Sequence, residues 1–312
     1  MIETHGIVKR FGRVTAVDRV SFEVPSGSVC GFLGPNGAGK TTTIRIIVGV
    51  LAADAGGVLV DGHPMGADGP AGVAARRCIG FLPEESPLHP DLTVEEFVRF
   101  RADLYGVPRA ERAARVDEAI RRCQVADVRR RLCGQLSKGY RQRVGLAGAI
   151  VHHPRVVVLD EPTSGLDPAQ VLEFRRLLRE LSEQATILLS SHVLAEVEAS
   201  CDRAILIDRG RVVAQGPLTE LRARGAAGAI LRVECEGEAL AVLQAVPGVR
   251  GARALAAEAG WHAYEVDADP AVAAELGRAL ARAGRPVRRL ESAQAPLESV
   301  FHRLVGTAEA HG

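Results

Sequence analysis

Apolar positions along this chain fall into two rhythms. Short β-branched and aliphatic runs bounded by turn residues read as strands, and stretches with apolar residues three and four apart read as helices. Strand-like segments open the chain at Ile7-Val8 and from Ala16-Val17 through Val20–Val24, on either side of a turn at Phe11-Gly12-Arg13. Ser28–Leu33 is the next strand, Thr42–Val48 a helix, and Gly56–Gly62 and Cys78–Leu82 further strands, the last entering a Pro-rich turn from Pro83 to Pro90. From Thr93 to about His152 the pattern is helical, with helices expected at 93–105, 109–123 and 138–152. The first of them opens on a capping box, with Glu96 three residues after Thr93. Strands return at Arg155–Asp160, Ala185–Ser190 and Arg203–Asp208, with a helix at about 168–183. This alternation predicts an α/β fold with a largely parallel sheet, carrying an all-helical insertion at about 85–153.

Small residues from Arg222 to Ala229 mark a linker and divide the chain into a domain at 1–222 and a second at 230–312. In the second, strands are expected at Ile230–Cys235, Gly251–Leu255, His262–Val266 and Val287–Leu290, with helices at Glu238–Ala245 and Pro270–Ala283. That β-α-β-β-α-β order predicts a small α+β, ferredoxin-like domain. An amphipathic segment, Leu297–Leu304, closes the chain, and no internal repeat is visible.

Charge changes the picture by exclusion. The 39 basic and 38 acidic residues nearly cancel, so no global basic field draws the 312-residue chain to nucleic acid. Arginine clusters at Arg121-Arg122 and Arg129–Arg131 lie among acidic residues and read as solvated helix faces. Six cysteines (Cys30, Cys78, Cys123, Cys133, Cys201 and Cys235) lack metal-ligand spacing and suit a reducing cytoplasm as small core residues. Met1–His5 carries no signal-peptide pattern, and the longest apolar runs, Val144–Val151 and Thr186–Leu189, are too short to cross a bilayer. Action at a membrane would require another polypeptide to do the spanning.

The chemistry begins at Gly34-Pro35-Asn36-Gly37-Ala38-Gly39-Lys40-Thr41-Thr42, a G-x-x-x-x-G-K-[ST] loop between an apolar strand and a helix. Its glycines let backbone N–H groups converge on an anion, and the helix N-terminus adds its positive dipole end. Lys40 would reach the β- and γ-phosphates of a nucleotide, and the Thr41 hydroxyl would ligate Mg²⁺. The chain has only three lysines, Lys9, Lys40 and Lys138, against a large excess of arginine. Keeping lysine in the loop fits a compact ammonium among phosphate oxygens. Downstream, Val156–Leu159 is an apolar run ending in Asp160-Glu161-Pro162. Parallel strands present such residues at their carboxyl ends, where ligands bind. Asp160 is therefore suited to the Mg²⁺ shell, and Glu161 to deprotonating a water for in-line attack on the γ-phosphate.

Between these motifs lies Leu136-Ser137-Lys138-Gly139-Tyr140-Arg141-Gln142-Arg143. Alone, Ser-x-Gly before a helix is a routine cap whose hydroxyl and N–H groups face outward. The order phosphate loop, helical insertion, this segment and Asp160-Glu161 resembles the ATP-binding cassette (ABC) ATPases. Their signature is usually L-S-G-G-Q; this chain keeps Leu136, Ser137 and Gly139 and has Lys138 and Tyr140 at the variant positions. Ser164-Gly165-Leu166-Asp167 resembles the family's D-loop, which crosses a dimer interface. His192, after the strand Thr186–Ser190, resembles the switch histidine that donates to the γ-phosphate, and Phe11 stands where the family puts an aromatic under the adenine. The family usually has Gln where this chain has Glu84, which adds a negative charge beside the triphosphate and Mg²⁺.

The L-S-K-G-Y-R-Q-R form, Glu84 and the appended domain are similar to ATP-binding subunits of ABC-2-type exporters, the gliding-motility and daunorubicin-resistance types among them. The ending Pro296-Leu297-Glu298-Ser299-Val300-Phe301 resembles the accessory domain on many of these subunits. The resemblance implies ATP and Mg²⁺ as ligands and a head-to-tail homodimer in which Ser137 and Gly139 of one copy cover ATP on Lys40 and Thr41 of the other. It also implies an integral-membrane ABC-2-type permease that holds the subunit on the inner face of the cell membrane. No nucleic-acid partner is expected. The alternative is a soluble ABC ATPase acting on nucleic acid or the ribosome, although such proteins usually carry two cassettes or a long coiled coil.

Overall fold

The computed structural model describes residues 1–66, 69–225, 230–258 and 260–293. The expected segment Leu297–Leu304 and the second half of the linker lie outside them. The chain divides into two compact units, Met1–Leu218 and Thr219–Gly312.

Runs buried on both faces become interior strands of a parallel sheet, and the first unit is built around several. In chain order it holds β1 (Ile2–Phe11), β2 (Val14–Val24), β3 (Val29–Leu33), α1 (Lys40–Ile47), β4 (Ala55–Val60), β5 (His63–Pro64), α2 (Gly69–Arg77) and β6 (Ile79–Leu82). There follow α3 (Val94–Leu104), α4 (Arg109–Arg122), α5 (Lys138–Ile150), β7 (Val156–Leu159), α6 (Pro168–Ser182), β8 (Thr186–Ser191), α7 (Leu194–Ser200), β9 (Arg203–Asp208) and β10 (Arg211–Pro217). The principal sheet has the order β10-β9-β3-β8-β7-β6, parallel except for β10. A second, antiparallel sheet has the order β2-β1-β4-β5. All residues of β3, β7 and β8 are buried. Leu33 pairs with Ser191, Leu189 with Leu159, and Leu159 with Leu82, so β3, β8, β7 and β6 end side by side at one edge of the sheet.

The helical insertion forms as the periodicity indicates. Thr93 accepts the Glu96 N–H while Glu96 accepts the Thr93 N–H, completing the capping box of α3. Several short elements escaped the sequence pattern, among them β5 and a helix over Leu218–Gly225 that takes up the first half of the expected linker. The helix α7 has only seven residues, α2 carries two glycines and a proline, and β10 is half-exposed and ends in Gly216-Pro217. In each, tertiary contact sets a conformation that local periodicity does not announce.

Just beyond α5, His152 stacks on Tyr105 with ring centroids 3.7 Å apart, and Nε2 donates to the Ile79 carbonyl at 3.1 Å. Burial pushes its pKa down to about 4 from the ordinary histidine value of 6.5. Between those pH values the unfolded chain takes up a proton that the folded chain refuses, so stability falls as the pH drops through this window. Urea unfolding should show the loss between about pH 7.5 and about pH 5, with roughly 2 kcal/mol of it absent from His152→Gln. A variant that loses stability in parallel with the wild type would remove His152 as the cause.

The helix α8 (Leu218–Gly225) leads to the second unit, which runs β11 (Ile230–Glu236), α9 (Leu240–Gln244), β12 (Val249–Glu258), β13 (Trp261–Ala268), α10 (Ala273–Arg282) and β14 (Val287–Ala293). Its strands are all antiparallel, in the order β12-β13-β11-β14. Leu231, Val233, Cys235, Tyr264 and Val266 alternate inward and pack with Leu243, Leu276 and Leu280 of the two helices. Across the other face, Arg250 pairs with Asp267 at 2.8 Å, Arg288 with Glu234 at 2.8 Å, and Arg253 and Arg232 with Glu265. Arg288 also lies 4.9 Å from the Trp261 ring centroid. All six cysteines are free, and burial pushes the Cys30 and Cys123 thiols up to about 12, as apolar core residues require.

Candidate functional site

The turn from β3 into α1 wraps the phosphate loop. Gly39, the residue before the helix, has φ 100°, and a Cβ there would lie 2.5 Å from the Ala16 carbonyl, so only glycine fits. Lys40 is 6 % exposed, and its ammonium donates to the carbonyls of Gly34 at 2.8 Å and Pro35 at 3.3 Å. It also stands 3.4 Å from Glu161 Oε1.

Glu161 and Asp160 follow β7, and His192 follows β8, as the shared sheet edge dictates. Asp160 is 2 % exposed and accepts from the Ser190 hydroxyl at 2.7 Å, with the Thr41 hydroxyl 3.5 Å from the same oxygen. His192 Nδ1 lies 2.9 Å from Glu161 Oε2. A carboxylate only accepts, so Nδ1 carries the proton. The ring can then donate from Nε2 only when doubly protonated or after Nδ1 leaves Glu161.

A cleft of about 390 Å³ opens over these groups. Lys40, Thr41, Thr42, Glu84, Glu161 and His192 line it, together with Pro35–Gly37, Gly39 and Ser164. Asp160 sits behind Thr41, out of the lining. Thr41, Asp160 and Glu84 all offer oxygen, the donor type a hard dication takes, and thus fit Mg²⁺.

Four of the expected residues are not brought to this cleft within one chain. Phe11 is 52 % exposed at the end of β1, with the Lys9 ammonium 5.8 Å from its ring centroid. Ser137 caps α5 by accepting the Tyr140 N–H at 3.4 Å. Gly139 packs against the Gln170 side chain, and Asp167 caps α6 by accepting the Gln170 N–H at 2.9 Å. Tyr140 donates to Asp127 Oδ2 at 2.5 Å, and the Lys138 ammonium lies against Gly165 in the loop before α6.

Two further groupings lie beyond the cleft, the first along the region Glu84–Phe100 that family likeness nominates to receive a helix from a membrane partner. A groove of about 450 Å³ runs between Glu84–Pro90 and the start of α5, with Lys138 and Arg141 at its side. Beneath it, the Ser86 hydroxyl donates to the buried Gln142 at 2.8 Å. Elsewhere Cys78 Sγ lies 4.0 Å from His63 Nδ1 beside Asp61. Arg155 already engages Asp61 at 2.7 Å, and Asp61-Gly62, with φ 51° and 76°, makes the tight turn between β4 and β5. The turn accounts for that trio.

Comparison with known proteins agrees with this geometry. A family model described as ABC transporter matches residues 17–164, and one described as AAA domain, putative AbiEii toxin, Type IV TA system matches 132–198. The Nod factor export ATP-binding protein I of Ralstonia nicotianae is 36% identical, covering 98% of this chain and 94% of its own length. The ABC transporter ATP-binding protein NatA of Bacillus subtilis is 41% identical over 67% of this chain and 84% of its own. Among solved structures, the dimeric bacterial ABC transporter cassette MJ0796 superposes with a TM-score of 0.65 at 26% identity, covering 70% of this chain and 99% of that one. The same cassette has also been solved in a post-hydrolysis state bound to ADP and Pi. The chain belongs to the ABC transporter family, as one of its ATP-binding, ATP-hydrolysing subunits.

Proposed function

We propose that this subunit energises an ABC-2-type exporter, working as a head-to-tail homodimer on the cytoplasmic face of the cell membrane. The observation that carries the dimer is the division of the site: one chain gathers Lys40, Thr41, Glu84, Glu161 and His192 around its cleft but leaves Ser137, Gly139 and Asp167 outside. A second copy supplies Ser137 and Asp167 from its own surface, where both are exposed, with Gly139 buried just behind Ser137 against Gln170. The cassette spans residues 1–222, and Phe11 stacks on the adenine.

In this reading Lys40 exchanges the Gly34 and Pro35 carbonyls for β- and γ-phosphate oxygens. Thr41, Asp160 and Glu84 would hold Mg²⁺, which would neutralise charge developing on the phosphates. Glu161 takes the proton of the attacking water, and His192 donates to the γ-phosphate. Hydrolysis then removes the group that joined the two copies.

Export is supported by the names of the relatives, one a Nod factor export protein and another associated with linearmycin resistance. Among the described residues no helix is long and apolar enough to cross a membrane; in this reading a separate permease does the spanning. The groove beside Glu84–Pro90 is the place for its cytoplasmic helix. The second unit, with strand order β12-β13-β11-β14, is a ferredoxin-like accessory domain over 230–312; the match to the Ralstonia protein extends through it.

Affinity purification from detergent-solubilised membranes should bring down a polytopic protein whose presence changes the rate of phosphate release. Recovery of the chain alone, with salt-sensitive nucleic-acid binding, would favour the soluble alternative.

A further inference from the structure

Two side chains without a role above meet both loops of the catalytic edge. Ser190, near the end of β8, is wholly buried. Its hydroxyl donates to Asp160 Oδ1 at 2.7 Å and accepts the Glu161 N–H at 2.8 Å, so one oxygen spans two consecutive acids. The backbone it holds is unfavourable. Glu161 has φ 46° and precedes Pro162, and both the left-handed region and the helical regions before proline are sterically disfavoured. Such a conformation persists only where the surroundings over-determine it.

On the other side, Glu196 of α7 accepts from the Thr163 hydroxyl at 2.6 Å and from the Ser191 hydroxyl at 3.3 Å. Thr163 lies just beyond Glu161-Pro162, and Ser191 immediately precedes His192. One carboxylate therefore ties the loop leaving Glu161 to the loop carrying His192. A serine needed only for packing would not direct both its donor and its acceptor capacity at the two acids. Asp160 Oδ2, meanwhile, receives no protein hydrogen bond among the described residues.

We propose that Ser190 and Glu196 are positioning residues for ATP hydrolysis: Ser190 fixes the Asp160–Glu161 pair, and Glu196 locks the Glu161 loop to the His192 loop. The inference rests on the roles given to Asp160 and Glu161 above. Ser190 acts on both the metal-ligand acid and the base, whereas Glu196 acts only on how Glu161 and His192 face one another.

The test compares Ser190→Ala and Glu196→Ala in the full-length chain by four readouts. These are phosphate release, ATP affinity in EDTA, Mn²⁺ affinity of the ATP-loaded protein by electron paramagnetic resonance, and Tm. Ser190→Ala should lower kcat and Mn²⁺ affinity each by roughly 10–100-fold, the range for groups that orient metal ligands. Its metal-free ATP affinity should stay close to wild type, and its Tm should fall by only a few degrees, the cost of leaving the Glu161 N–H unpaired. Glu196→Ala should lower kcat about tenfold and leave Mn²⁺ affinity unchanged. Wild-type kcat and Mn²⁺ affinity in Ser190→Ala would overturn the assignment. So would losses that accompany a larger fall in Tm or track metal-free ATP affinity, which would mark a purely structural hydroxyl. If Glu161→Gln itself turned over normally, the failure would lie in the underlying reading instead.

Discussion

Glu161→Gln should bind ATP, form a lasting dimer and release phosphate about 10²–10⁴-fold more slowly than the wild type, the usual contribution of a general base. Glutamine matches glutamate in shape, so it can keep a contact to His192 Nδ1, at 2.9 Å in the wild type, and the backbone bond to Ser190. It cannot take a proton from water. The carboxylate is only 12 % exposed between Lys40 and His192, so no bulk-solvent base can easily replace it. The two halves of the result are separable: phosphate release measures the chemistry, and size-exclusion chromatography with ATP measures the dimer. Turnover within a few-fold of wild type would take the base role from Glu161, and slow turnover without a dimer would break the link between hydrolysis and separation.

A second large effect should appear on mixing two inactive proteins. Lys40→Ala removes the ammonium that reaches the phosphates. Charge-assisted hydrogen bonds contribute about 1.5–3 kcal/mol each, so ATP affinity should fall by one to several orders of magnitude. It also leaves Glu161 without its cation at 3.4 Å. Ser137→Phe blocks the opposite surface; the site is exposed, so the ring is tolerated at the cost of a helix cap, about 1 kcal/mol. In a head-to-tail pair made from one of each, the two defects fall in the same composite site and the other site is intact. With random pairing and independent sites, the mixture should regain about a quarter of wild-type activity. A mixture as inactive as its parents would mean that each chain completes its own site.

The catalytic edge was legible because its strands are short, wholly apolar and followed at once by their functional residues. Val156–Leu159 could only be interior, and an interior parallel strand must deliver Asp160 and Glu161 to the carboxyl edge. The phosphate loop and Asp160 follow from the same logic, whereas Glu84 and His192 were named by family likeness; the structure brings all of them to one edge of the sheet. Ser190 and Glu196 were not found this way. A serine at a strand end and a glutamate on a seven-residue helix are common, and only the register of β8 against β7 shows what their oxygens meet. The strand β10 and helices α2 and α7 went unseen for a related reason: their stability comes from neighbours distant in sequence. Phe11 and Ser137 were nominated by family likeness, and a single chain leaves both without a partner in its own cleft.

The face of the C-terminal sheet opposite its two helices is built from paired charges. Its arginines and carboxylates answer one another across strands, with Arg250 to Asp267, Arg288 to Glu234, and Arg232 and Arg253 to Glu265. A surface that has neutralised itself laterally presents little net field to a polyanion. Such a sheet adds little electrostatic attraction of its own to a neighbouring molecule.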